Sequence, residues 1–139
     1  MRPSGPPAGA IAVLLWAALL SGVVITTGLC VYLHPRFVPL RHPVNTTTLV
    51  AAALVLAGLA ASAVLPLLRK IEPRGREEDV GQWWTRMLPR ALAVWAIGDV
   101  VGLFGAAACL LTGKVAVFTV AAVALAIFVL TNPARLQDR

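Results

Sequence analysis

The side chain best placed to do chemistry is Asp99, a carboxylate near the middle of an apolar run from Ala91 to Thr112. No other long apolar run in the chain contains a charged residue. A carboxylate at mid-membrane costs roughly 2.5–3.5 kcal/mol on insertion scales, so its presence calls for a use. No Lys or Arg lies inside an apolar run to pair with it. Three uses are open. Asp99 can hydrogen-bond across the protein, with Ser21, Thr26, Thr27, Ser62 or Thr119 as partners. It can pair with a group on another protein, or it can take up and release an ion or proton.

Other reactive side chains are sparse. His34 and His42 each precede a proline in a Pro-rich loop, with no carboxylate nearby, which is no ligand spacing for a metal that wants three or four donors. Cys30 and Cys109 stand inside apolar stretches and read as buried thiols that pack like small hydrophobes. Asn45-Thr46-Thr47 is a glycosylation sequon only in a secreted eukaryotic context. The sequence holds no phosphate-binding Gly-rich loop, Gly-x-Ser-x-Gly elbow, His-Glu-x-x-His helix or paired carboxylates. No enzyme activity, cofactor or metal is therefore expected.

Small residues surround Asp99: Gly98, Gly102 and Ala106 at four-residue spacing, with Gly105 alongside. That interval lets helix backbones approach closely, and packing inside the protein is the expectation, ahead of a homo-oligomer interface. The stretch from Asp99 through Gly105 to Leu111 resembles the carboxylate-bearing helix of rotary-ATPase proteolipids, the subunit c class. There an acid is followed six positions later by glycine and then an aliphatic run. The resemblance covers about one helix and implies an ion-carrying role for Asp99.

The elements that must position these residues follow from composition. The chain has 139 residues, 59% of them hydrophobic, and a mean hydropathy of +0.84. Soluble domains sit nearer 45–50% apolar, and here the excess is gathered into long runs, so the chain reads as an all-α, four-helix transmembrane bundle in one domain. The spans are expected at about 10–33, 47–68, 89–111 and 115–131. The first is too long for a signal-peptide core of roughly 7–15 residues, so it is read as an uncleaved helix. Asn45, Thr46 and Thr47 offer N-caps for the second, and Pro66 is a candidate kink or stop. Gly113 and Lys114 suit a tight turn, and the residues after Asn132 and Pro133 read as a polar tail.

The long polar segment, 69–90, is basic at first and then amphipathic. Val80, Trp83, Trp84, Met87 and Leu88 fall on one helical face. Adjacent tryptophans flanked by Arg86 and Arg90 suit the headgroup region, so this segment is expected as a short helix lying on the membrane before the third span; the alternative is that the third helix extends outward from Trp83. Arg2, Arg69, Lys70, Arg74, Arg76, Arg86, Arg90, Arg135 and Arg139 would share one side, against Arg36, Arg41 and Lys114 on the other. The positive-inside rule then puts both termini and the central loop in the cytoplasm. The net charge of +6 is placed to meet anionic headgroups, not nucleic acid. Compact, Ala-rich and loop-poor, the chain is expected in a bacterial inner membrane. It reads as a non-catalytic accessory or assembly subunit of a larger complex; the alternative is a small proton- or ion-coupled oligomer using Asp99.

Overall fold

The fold is described from a computed structural model, which defines residues 7–33, 45–112 and 118–137. The expectations for Arg2, His34, Arg36, Arg41, His42, Gly113, Lys114 and Arg139 lie outside these residues. Among the described residues the protein is all-α: α1 (Ala8–Leu33), α2 (Thr46–Arg69), α3 (Val80–Thr112), α4 (Phe118–Leu130) and α5 (Pro133–Gln137). The first three are long and apolar enough to cross a membrane. The 13 residues of α4 rise only about 20 Å, short of a hydrocarbon core about 30 Å thick.

The bundle is built around α3, which packs against α1, α2 and α4, whereas the other three touch one another sparingly. Half of the apolar window of α3 is buried, against 22% in α2 and 11% in α1. Most of the α1 and α2 surface is therefore a lipid-facing coat of residues such as Leu14, Ile25, Leu54 and Leu59. Gly9 lies by Trp84, and Val23 by Gly102, so α1 and α3 run parallel. Gly98 meets Phe128 while Gly105 meets Val120, so α4 runs antiparallel to α3. On α2, the Lys70 end meets Arg90 and the Ala60 region meets Ile97 and Val101, which again is antiparallel.

The expected interfacial helix before the third span is replaced by the first turns of α3 itself, which runs unbroken for 33 residues through Pro89. The reason lies in the register. Val80, Trp83, Trp84, Met87, Ala91, Val94, Trp95 and Gly98 continue one 3.6-residue stripe across the proline. That stripe is turned into the protein: Trp83, Trp84, Met87, Ala91, Val94 and Trp95 are each 0% exposed. The tryptophans stack on one another, with Trp83 and Trp84 ring centroids 4.8 Å apart edge to face and Trp84 and Trp95 6.3 Å apart. Asp79 starts the helix as its N-cap. Its side chain accepts from the Gly81 N–H at 2.9 Å, and its carbonyl accepts from the Trp83 N–H.

The second helix ends close to where it was expected, at Arg69 with Pro66 inside it, so the proline does not stop it; the C-terminal end differs. The polar tail is a helix: Asn132 Oδ1 accepts from the Ala134 N–H at 2.9 Å, Pro133 occupies the first helical position, where its missing N–H costs nothing, and Leu136 is 0% exposed. With Pro133 and Leu136 buried, α5 packs back against α1.

Indole N–H groups tie the helices together. Trp16 Nε1 donates to the Phe128 carbonyl at 3.0 Å. Trp83 Nε1 donates to the Glu72 carbonyl at 3.0 Å, which pins the loop after α2 to α3. Trp95 Nε1 reaches both the carbonyl and the hydroxyl of Thr131 at 3.2 Å. In an apolar surrounding each such bond satisfies a donor that lipid cannot.

Candidate functional site

Asp99 sits eight residues into the apolar part of α3, a rise of about 12 Å from Ala91. It stands on the side facing α1, where Gly22 passes. A Cβ built on Gly22 would lie 4.0 Å from Asp99 Oδ1. One turn further along, the helices close up: a Cβ on Gly102 would come within 2.7 Å of Val23 Cγ1. The carboxylate thus occupies the edge of the α1–α3 seam, half-buried, between a tight contact and the lipid-facing surface carrying Val24, Ile25, Val100 and Leu103.

The carboxylate accepts no hydrogen bond and makes no ion pair among the described residues. The hydroxyls expected to reach it do not. Ser62 donates to the Gly58 carbonyl of its own helix at 2.9 Å. The Thr27 hydroxyl is buried and has no partner among the described residues. Neither Ser21, Thr26 nor Thr119 bonds to it.

The small residues next to it make the seams. Gly98 receives Phe128 and Ile127 of α4, Gly105 receives Val120 and Ala121 of α4, and Gly102 lies between Val23 of α1 and Ala124 of α4. Ala106 is buried as well, at 2% exposure. The ridge thus faces inward onto two helices of the same chain, with Asp99 on its flank.

A separate polar cluster closes the end of the bundle near Asp79. Arg86 bonds to Glu72 and donates to both Glu78 oxygens at 3.1 Å. Arg90 donates to the Lys70 carbonyl at 2.6 Å and to Met87 Sδ at 3.7 Å. These pairs are largely solvent-exposed, where screening by water and salt leaves an ion pair little net effect on stability. Their geometric effect is to fold residues 70–79 over the ends of α2 and α3. Arg86 and Arg90 stand outward while Trp83 and Trp84, on the opposite side, are enclosed. Cys30 and Cys109 are buried free thiols, and no group of three potential metal ligands occurs among the described residues.

Comparison with protein-family models, with curated proteins and with solved structures finds no match to this chain.

Proposed function

We propose that this is a small, non-catalytic integral membrane protein that serves as an accessory or assembly subunit, and that Asp99 is the group its partner recognises. Helices α1 to α4 all cross the bilayer in this reading, and both termini face the cytoplasm. The alternating directions of α1, α2, α3 and α4 support that topology. One observation carries the partner assignment: a carboxylate in an apolar span, half-buried at the edge of the α1–α3 seam, without a hydrogen bond among the described residues. A hydroxyl, amide or cation from a second membrane helix would satisfy it and recover part of the roughly 2.5–3.5 kcal/mol that its insertion costs.

The test is extraction of native membranes in mild detergent. Wild-type chain is expected to migrate with larger subunits, and Asp99→Leu to lose at least about tenfold of that association, the equivalent of about 1.4 kcal/mol. Recovery of the wild type only as a free chain would sink the assignment.

The same exposure favours a second reading, in which oligomers of the chain carry a proton or cation on Asp99, as the resemblance to rotary-ATPase proteolipids implies. It requires pH-dependent flux into liposomes that Asp99→Asn abolishes while the helices remain. Unchanged flux in the Asn variant rules it out.

A further inference from the structure

The α2–α3 seam carries a groove unrelated to Asp99. It has a volume of about 380 Å³ and wholly apolar walls, including Leu56, Leu59 and Ala63 of α2 and Ala96, Ile97 and Val100 of α3. Leu59, Ala63, Ala96 and Val100 are exposed, so the groove opens on the outside of the bundle. Its two walls lead to two cations. On α2 the face of Leu56, Leu59 and Ala63 continues at helical spacing through Leu67 to Lys70, whose backbone is still helical. On α3 the face of Val100 and Ile97 continues through Ala93 to Arg90. The guanidinium of Arg90 donates to the Lys70 carbonyl, which brings the two ends together.

The charge there is uneven. Arg86 and Arg90 are balanced by Glu72 and Glu78. Arg69 and Lys70 make no ion pair among the described residues. Along the helix Ala63 and Ala60 lie about 10 and 15 Å from Lys70, within one leaflet's half-thickness of about 15 Å, while Leu56, at about 21 Å, reaches past the midplane. A basic end on an apolar channel between helices is how anionic lipids are held.

We infer that the α2–α3 groove binds one anionic phospholipid, with an acyl chain against Ala63 and Ala96 and the phosphate at Lys70 beside Arg90. The site depends on the chain crossing a membrane and is independent of any role for Asp99. Lys70 supplies the selectivity, and the small side chains at 63 and 96 supply the room.

The experiment uses the full chain reconstituted into vesicles of equal parts phosphatidylglycerol and phosphatidylcholine, gently extracted, with retained lipid counted by native mass spectrometry. Wild type is expected to retain one phosphatidylglycerol in preference to phosphatidylcholine by at least about 5-fold, the effect of one near-surface cation. Lys70→Gln should reduce that preference about 5-fold. The double variant Ala63→Leu, Ala96→Leu fills the groove from exposed positions, and should lose the retained lipid of either kind while its helicity is unchanged. Arg76→Gln, a cation off the groove, should behave as wild type. Equal retention of the two lipids, an Arg76→Gln effect as large as that of Lys70→Gln, or a dimer that occupies the groove would each overturn the assignment.

Discussion

Gly102→Leu is expected to prevent the bundle from assembling. A Cβ alone at that position would sit 2.7 and 2.9 Å from the two methyls of Val23 and 3.2 Å from the Ala124 Cβ. Val23 is 0% exposed, and a β-branched side chain in a helix has essentially one rotamer to occupy. Relief must therefore come from moving α1 away from α3. Overpacking of this kind costs about 1–3 kcal/mol for small insertions, and a leucine adds three further carbons with nowhere to go. The milder Gly102→Ala should lose about 1–3 kcal/mol in a reversible unfolding titration in mixed micelles. Adding Val23→Ala, which removes both clashing methyls, should return most of that loss. A Gly102→Leu protein as stable as the wild type would mean that α1 and α3 do not meet here.

Trp84→Ala is the second large effect. The indole is 0% exposed and packs between Trp83, Trp95 and Gly9 of α1. Truncation of a buried aromatic to alanine costs about 3–5 kcal/mol. Trp84→Phe should cost far less, because Trp84 Nε1 is buried without a partner among the described residues, so no hydrogen bond is lost with it. The same unfolding titration separates the two variants. Near-equal loss from both would show that the indole N–H is bonded. No loss from Trp84→Ala would place this residue at an exposed membrane interface after all.

These two positions show what the sequence made legible and what it did not. The glycine spacing around Asp99 announced close helix approach, because only small residues allow it, and composition announced the long apolar helices. The Trp83–Trp84 pair was ambiguous. Tryptophans beside basic residues suit headgroups, yet the same pair sits in phase with Met87, Ala91 and Trp95, and the phase decides the outcome once α1 is there to cover it. Pro133 and Leu136 carried too little periodicity to announce α5, since two buried residues make a helix only when a partner surface exists. At Asp99 the sequence named candidate hydroxyls but not their directions. The parallel α1–α3 packing sets Gly22 beside the acid, while Ser62, on α2, bonds within its own helix.

The unfolding free energy of Asp99→Leu in the purified chain tests most directly whether this acid is held for something outside the bundle. With no hydrogen bond or ion pair among the described residues, the carboxylate is expected to bring the isolated protein only a solvation cost. Stability equal to the wild type, or higher by up to about 3 kcal/mol, is expected. A loss of more than about 1 kcal/mol would show that Asp99 is already bonded within its own chain, and would contradict a carboxylate left open for a partner.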